Sequence, residues 1–288
     1  MSAGTGSFVE ICEVGPRDGL QNEPRLIPTA AKIALIDLLS QAGFRRIEVA
    51  SFVSPARVPQ MADGAEVLAG IARRPGVTYS ALVPNMRGLD RALAAGADEI
   101  AVFASASESF SQSNLGCSIA ESLARFAPVC AAALAQGVGL RGYVSCVTDC
   151  PFEGRVAPGA VAEVAVALAG MGCAGISLGD TIGRGTPDSV TAMLGAVLER
   201  LPAARLAGHF HDTGGRALAN VECALKLGVR VFDASVGGLG GCPFAPGASG
   251  NVATEALAGR LEALGIKTGI DLKIVRQAAD MAREFRDG

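Results

Sequence analysis

The sequence predicts an α/β fold, a (β/α)8 TIM barrel with an extra C-terminal helix. Short apolar, β-branched runs alternate with longer Ala- and Leu-rich segments of helical period, which indicates βα units and a parallel sheet. Eight such runs occur, and they begin at intervals of roughly 32 residues, close to the length of one βα unit. Eight units in about 250 residues fit a closed barrel.

Each element has a local justification. Thr29 suits a helix N-cap, and glycines that suit helix ends precede the next strand at Gly43, Gly96, Gly137, Gly172 and Gly228. The predicted strands are 9–14, 46–50, 78–83, 99–103, 141–147, 175–178, 205–210 and 231–235. The predicted helices are 29–42, 63–72, 86–95, 118–136, 160–171, 187–201, 217–227 and 251–264.

We expect one catalytic domain over residues 1–288, with the barrel over about 8–265 and a final helix over 271–286 that covers a barrel face. An open, doubly wound sheet is the alternative. It would require a glycine-rich dinucleotide turn after the first strand, and Gly15-Pro16-Arg17-Asp18-Gly19 is not such a turn.

Bulk composition excludes several classes of protein. The net charge is −3 with acids and bases interspersed, so no basic face for nucleic acid is expected. Half of the residues are apolar, yet no apolar run is long enough to span a bilayer. Residues 1–7 lack the features of a secretory signal, so the eight cysteines are expected to be reduced thiols of a cytoplasmic protein.

The chain has only two histidines, His209 and His211, at the end of the seventh predicted strand. Side chains two apart on a strand point to the same side, so both imidazoles project together. Two convergent imidazoles with a nearby carboxylate suit a divalent metal. The alternative is two unrelated histidines, one capping a helix and one packed in the core.

Functional side chains of a TIM barrel lie at the C-terminal ends of its strands. Charges at the mouth of an apolar barrel need partners, and a cation supplies one. The polar residues expected there include Glu13, Arg17, Asp18, Gln21, Glu48, Ser51, Asn114, Asp180, His209, His211, Asp212 and Asn251. A glycine-rich loop over 237–243 carries Cys242 and suits a mobile lid.

Over nearly its whole length the chain resembles the 3-hydroxy-3-methylglutaryl-CoA lyases, within the wider group of metal-dependent TIM-barrel lyases and synthases. Long, ordered motifs carry the resemblance, and they are far more specific than a single short motif. They are residues 13–23 (EVGPRDGLQNE), 51–55 (SFVSP), 177–183 (SLGDTIG), 209–213 (HFHDT), 238–243 (GLGGCP) and 247–255 (GASGNVATE).

The resemblance implies a division of labour among these residues. Asp18, His209, His211 and Asn251 would hold a divalent metal, Mg²⁺ or Mn²⁺. Arg17 would stabilise the enolate that forms from the thioester. Asp18 or His209 would take the proton from the substrate hydroxyl, and Cys242 would protonate the enolate.

The remaining candidates are expected to support this set or to contact the substrate. Glu13 and Glu48 would contact Arg17 and orient it, with Gln21 nearby. Asp180 would support a ligand or contact the substrate, and Ser51 and Asn114 would touch the acyl-CoA. The expected partners are an acyl-CoA substrate and further copies of the chain in a dimer or tetramer, with neither nucleic acid nor membrane; leucine breakdown is the family's usual pathway.

The chain departs from the family pattern at two places. Gly214-Gly215-Arg216 stands where the family has Tyr followed by Gly and often Gln, and Pro24 replaces a Lys common in the animal enzymes. The first change would enlarge the substrate pocket or add an anion contact, so a close 3-hydroxyacyl-CoA is also a candidate substrate. Two other functions remain open: a synthase that condenses acetyl-CoA with a 2-oxo acid, and a barrel that binds CoA esters without catalysis.

Overall fold

The computed structural model describes residues 8–240 and 250–287, which form a (β/α)8 barrel. The strands in this part of the chain are β1 Glu10–Glu13, β2 Arg46–Ser51, β3 Thr78–Leu82, β4 Glu99–Ser105, β5 Gly139–Ser145, β6 Asp149–Cys150, β7 Gly154–Arg155, β8 Gly175–Asp180, β9 Leu206–Phe210 and β10 Val231–Ala234. The helices there are α1 Thr29–Leu39, α2 Gly64–Gly70, α3 Met86–Ala94, α4 Glu108–Leu115, α5 Ile119–Ala135, α6 Pro158–Gly170, α7 Pro187–Leu198, α8 Ala217–Lys226, α9 Thr254–Ala263 and α10 Leu272–Asp287.

Eight of these strands close into one parallel sheet in the order β1-β10-β9-β8-β5-β4-β3-β2. The predicted TIM barrel with a C-terminal helix is therefore confirmed. Strands β6 and β7 form a separate antiparallel hairpin in the connection from β5 to α6. Parallel neighbours place every strand's C-terminal end at the same mouth of the barrel, which is where the predicted polar residues collect.

The main apolar core lies between the outer surface of the barrel and the helices. Successive strand residues face opposite sides, so each strand contributes alternate residues to this core. On β5, Leu140 and Val144 belong to the main core, whereas Arg141 and Tyr143 alternate with them and face the barrel interior. The interior therefore holds polar side chains as well as apolar ones.

Helix α4 and the β6–β7 hairpin are elements that the sequence analysis did not predict. The Ser107 side chain accepts a hydrogen bond from Phe110 N at the start of α4, and Gly116 ends the helix with φ 67°. At eight residues this helix is too short to give a clear amphipathic period. It follows β4 directly and so adds an extra wall at the barrel mouth.

Two predicted boundaries differ in ways that affect the site. Helix α9 begins at Thr254 rather than at 251, because Asn251 instead pairs its backbone with that of His211. Strand β8 extends to Asp180, two residues beyond its predicted end, which fixes Asp180 at the strand terminus.

The C-terminal helix α10 packs against α1, α9 and the turn Val236–Gly238. Near its end, Arg286 donates from Nη2 to the Gly238 carbonyl at 2.6 Å. The helix therefore lies in the outer layer and reaches the loop that follows β10.

Among the described helices, none by itself has the length and apolarity required to cross a bilayer. Helices α4 and α5 satisfy that requirement only as a pair, and they meet at a bend of 56°.

Replacing Leu35 with Ala should lower the free energy of unfolding by about 2–5 kcal/mol, because it leaves a cavity at a fully buried position of α1. The matched control is Leu26→Ala. Leu26 is 64% exposed, so the loss of its side chain should change the free energy of unfolding by no more than about 0.5 kcal/mol. Urea denaturation followed by circular dichroism measures both. Equal effects of the two variants would contradict this description of the core.

Candidate active site

A tight turn of π-helical geometry, Gly15–Gly19, follows β1 and presents Arg17 and Asp18 to the barrel mouth. The Val14 carbonyl accepts the backbone N–H of Asp18 at 2.8 Å, which closes the turn. A Cβ atom at Gly19 would lie only 2.7 Å from Leu239 Cβ, so only glycine fits there. Close packing thus holds the two functional side chains in one orientation.

Asp18, His209 and His211 form a cluster of possible metal ligands, with their donor atoms within 4.8 Å of one another. The two imidazole Nε2 atoms are 3.3 Å apart, and His209 Nε2 lies 3.8 Å from Asp18 Oδ2. The Asn251 amide lies against the same carboxylate, with Nδ2 2.8 Å from Asp18 Oδ2. All four predicted ligands are therefore brought together.

Asn251 reaches the cluster through an extended segment that continues the sheet at the barrel mouth. Asp212 N donates to the Gly250 carbonyl at 2.8 Å, and Val252 N donates to the Phe210 carbonyl at 3.0 Å. Ser235 N then donates to the Val252 carbonyl at 3.1 Å, so the segment lies between the ends of β9 and β10. This pairing explains why Asn251 lies outside helix α9.

The charges of the cluster suit a cation. Burial alone would raise the pKa of Asp18, but the charges of Arg17, His209 and His211 outweigh it and lower that pKa to about 2. Burial, together with the charge on His209, lowers the pKa of His211 to about 4. Near neutral pH the cluster therefore offers an ionised carboxylate and a neutral imidazole, which are the forms that bind metals. The residues present thus fit a divalent cation with mixed nitrogen and oxygen ligands.

Arg17 is held between two carboxylates. Its Nε and Nη2 lie 2.7 and 2.5 Å from Glu48 Oε2, and its Nη1 lies 2.6 Å from Asp18 Oδ1. The guanidinium carbon is 5.4 Å from the centre of the Tyr143 ring. Glu48 therefore holds the Arg17 guanidinium next to the cluster of possible metal ligands.

A buried polar network beneath the mouth was missed by the sequence analysis. The Tyr143 hydroxyl donates to Glu48 Oε2 at 3.0 Å, and Arg141 Nη1 donates to the Tyr143 hydroxyl at 3.2 Å. Arg141 Nη2 lies 2.5 Å from Asp233 Oδ1, and Asp233 Oδ2 lies 3.1 Å from His209 Nδ1. The sequence signal for this network is an Arg and an Asp inside predicted strands, away from the strand ends where functional residues of a TIM barrel are expected.

Glu13 supports a different part of the site from the one expected. Its Oε1 accepts the backbone N–H groups of Gly15 and Val236 at 2.8 and 2.9 Å, and its Oε2 accepts the Thr254 hydroxyl at 2.7 Å. These bonds tie the Arg17 turn to the ends of β10 and α9. The expected orientation of Arg17 by two glutamates is thus corrected, since Glu13 is engaged with these other groups.

Asp180 holds a loop. Its two carboxylate oxygens accept the Thr148 hydroxyl and the Gly185 N–H, both at 2.9 Å. Ser51 is buried at the end of β2, and within the described residues its hydroxyl has no hydrogen-bond partner. Both side chains therefore lie beneath the surface of the mouth.

Arg216 donates to the carbonyls of Gly185 and Arg184 at 3.2 and 3.4 Å. Arg216 therefore stabilises a neighbouring loop. These bonds explain an arginine at this position without the anion contact that the sequence suggested. Cys242 lies outside the described residues, so its predicted role stays a prediction.

A cavity of about 610 Å³ opens above the cluster, a size that suits a small-molecule ligand. Among its lining residues are Arg17, Asp18, Gln21, Asn114, His209 and His211. Gln21, predicted to lie near Arg17, and Asn114, predicted to touch the acyl-CoA, thus face the same space as the candidate ligands.

The fold and this cluster define a TIM-barrel protein with a candidate divalent-metal site at the mouth of the barrel. A family model described as HMGL-like matches residues 8–282, and the chain belongs to that family. A curated relative from Bos taurus, hydroxymethylglutaryl-CoA lyase, mitochondrial, is 56% identical over 280 residues, which cover 96% of this chain and 86% of the relative.

Solved structures agree with this assignment. The HMG-CoA lyase of Brucella melitensis is 60% identical, with a TM-score of 0.97 over 98% of this chain and 100% of that one. An HMG-CoA lyase from Acinetobacter baumannii, in complex with coenzyme A and 3-methylmalate, is 40% identical, with a TM-score of 0.93 over 99% and 93% of the two chains.

Removing the Glu48 carboxylate by Glu48→Ala should destabilise the fold by about 3–5 kcal/mol, because it leaves the buried Arg17 guanidinium without its main partner. The matched control is Glu163→Ala, which removes an exposed Arg–Glu pair worth about 0–1 kcal/mol. Chemical denaturation compares the two. A Glu48 variant as stable as the control would show that the buried pair does not constrain Arg17.

Proposed function

We propose that this chain is a divalent-metal-dependent carbon–carbon lyase that cleaves 3-hydroxy-3-methylglutaryl-CoA to acetyl-CoA and acetoacetate. The observation that carries the proposal is the Asp18–His209–His211 cluster with Arg17 bonded to it, at the mouth of a barrel of the HMGL-like family. The names of the curated and solved relatives support the substrate class.

The cavity supports an acyl-CoA substrate as well. Arg57 and Arg125 line it together with the catalytic candidates. Their guanidinium groups suit the phosphates of a CoA ester. The Acinetobacter baumannii relative was solved with coenzyme A, which supports the same ligand class for this chain.

Asp18, His209, His211 and Asn251 would hold the metal. A divalent cation at this site would lower the pKa of a substrate hydroxyl and polarise an acyl oxygen. Mg²⁺ and Mn²⁺ are both compatible with a set of two imidazoles and two oxygen donors, so the choice between them stays a proposal.

Asp18 and His209 are the candidates for the base that takes the proton from the tertiary hydroxyl. A carboxylate keeps lone pairs for a proton when one oxygen holds a cation, whereas each imidazole nitrogen has a single lone pair. If His209 Nε2 is a metal ligand, this difference favours Asp18 as the base and gives His209 the role of a ligand.

Arg17 and Cys242 would serve the step that follows. When the hydroxyl proton leaves, the C2–C3 bond breaks, C3 becomes the ketone of acetoacetate, and the bonding electrons form the enolate of acetyl-CoA. The Arg17 guanidinium, fixed by Glu48, would stabilise the enolate oxygen as its charge develops. Cys242 would give its proton to C2, a role that rests on the sequence resemblance because this residue lies outside the described ones.

The cellular context is a further part of the proposal. The cysteines that the structure describes are free thiols, which fits the reducing conditions of the predicted cytoplasmic location. Curated relatives are named both mitochondrial and cytoplasmic, so the compartment is a proposal. A dimer or tetramer likewise stays a prediction.

Incubating the purified chain with Mg²⁺ and 3-hydroxy-3-methylglutaryl-CoA should release acetoacetate, measured by a coupled dehydrogenase assay. Arg17→Gln should lower the turnover number by about 10²–10³-fold, because one charge aimed at a developing oxyanion is removed. The control is Arg200→Gln, which removes an exposed arginine that follows α7 and pairs with Glu163.

Release of no acetoacetate by metal-loaded wild-type protein would contradict the proposed reaction. Condensation of acetyl-CoA with a 2-oxo acid would instead identify a synthase, and CoA-ester binding without turnover a non-catalytic barrel. Unchanged turnover in the Arg17 variant would remove the enolate role while leaving the lyase assignment in place.

Replacing His211 with Ala should weaken Mn²⁺ binding by at least about 10–100-fold, because it removes one of the proposed ligands. Titration calorimetry after dialysis against a chelator measures the affinity. The control is the neighbouring Asp212→Asn, since Asp212 Oδ1 caps helix α8 by accepting Ala217 N and an Asn oxygen can do the same. Equal Mn²⁺ affinity in the His211 variant and the control would exclude His211 as a ligand.

A further inference from the structure

A carboxylate on the adjacent strand contacts His209 on the side of the ring that faces away from the cluster of possible metal ligands. Its Nδ1 lies 3.1 Å from Asp233 Oδ2, while its Nε2 faces His211 and Asp18. An ionised carboxylate only accepts hydrogen bonds, so this contact requires the proton on Nδ1. The lone pair of the neutral ring then lies on Nε2, which is the atom that faces the proposed metal site.

Asp233 is itself fixed on both oxygens. Oδ1 accepts Arg141 Nη2 at 2.5 Å, and Oδ2 accepts the Ser177 hydroxyl at 2.6 Å. Asp233 as a residue is 1% exposed, and it lies at an inward position of β10. Apolar residues of similar volume often stabilise a protein as well as a buried ion pair does, or better. Filling space in the barrel interior therefore does not explain why Arg141 and Asp233 are paired here.

We infer that Asp233 is a positioning residue that fixes the tautomer of His209. We also infer that Arg141 determines which atom of the side chain at position 233 faces His209. The inference rests on the proposed function, because the lone pair on Nε2 matters only if His209 serves the metal or the substrate. The tautomer itself is a property of the metal-free protein and can be measured without the reaction.

The fixed donor Arg141 makes the Asp233→Asn variant informative. A guanidinium only donates, so the amide oxygen of the Asn must turn towards Arg141. The NH₂ group then points at His209 Nδ1, which must accept. The ring is thereby forced into the opposite tautomer, with the proton on Nε2 and no lone pair towards His211 and Asp18.

The chain has only two histidines, so the tautomer of His209 can be measured by NMR without overlap from many other rings. Long-range ¹⁵N–¹H correlation spectra of metal-free protein, recorded where both rings are neutral, distinguish the two protonated nitrogens. His211→Ala assigns the remaining signal to His209. We expect Nδ1–H for His209 in the wild type, Nε2–H in Asp233→Asn, and a loss of about 10–100-fold in Mn²⁺ affinity with that change.

Two further variants separate positioning from general structural support. Asp180→Asn alters another buried aspartate, one that bonds to Thr148 and Gly185, and should leave the His209 tautomer unchanged. In Asp233→Asn/Arg141→Gln, the glutamine can accept from the NH₂ group, so the amide oxygen is free to face His209. Part of the Nδ1–H signal and of the Mn²⁺ affinity should then return.

Three results would overturn the inference. The first is an Nε2–H signal for His209 in the wild type, which needs no variant to fold. The second is an unchanged tautomer in folded Asp233→Asn, and the third is a reversed tautomer with unchanged Mn²⁺ affinity. Failure of the lyase assay with the expected tautomers would count against the proposed reaction alone.

Discussion

The site depends on one constraint, which is that charges inside the barrel cannot be hydrated and must pair with one another. The pairing runs as a chain of hydrogen bonds from Arg17 through Glu48 and Tyr143 to Arg141, and through Asp233 to His209. Each member bonds to the next, so Arg17 and His209 at the two ends are oriented by buried strand residues. Buried hydrogen bonds of this kind make a core rigid and specify one arrangement of its side chains.

Asp18 closes the chain, because it bonds to Arg17 and faces His209. The resulting ring holds three carboxylates, those of Asp18, Glu48 and Asp233, and two guanidiniums, those of Arg17 and Arg141. With His209 neutral, one negative charge is left over, and it lies at the mouth because Glu48 pairs with Arg17 and Asp233 pairs with Arg141. A divalent cation beside Asp18 would neutralise this excess, and the positive charge that remains would favour an anionic acyl oxygen.

The sequence predicts the barrel well because each strand and helix depends on local composition, as in the β-branched run of β2 or the Ala- and Leu-rich run of α5. The predicted ligands also converge, since strand ends of a parallel barrel must meet. Tyr143 and Asp233 were missed because the direction of an inward side chain depends on strand register, which composition does not give. The contacts of Glu13 depend on how the end of β10 meets α9, and Asn251 was placed in a helix because its pairing with His211 joins residues 40 positions apart.

The polar floor also explains how a rigid fold can hold a reactive site. Barrel interiors are usually filled by layers of branched apolar side chains. Here Arg141, Tyr143, Ser177 and Asp233 occupy inward positions of β5, β8 and β10, and all four are buried. Apolar replacements could pack as densely, but they would leave Glu48 and His209 free to rotate. Desolvating these groups costs the barrel free energy. Their hydrogen bonds fix the guanidinium and the imidazole in place, so neither has to be ordered when the substrate binds.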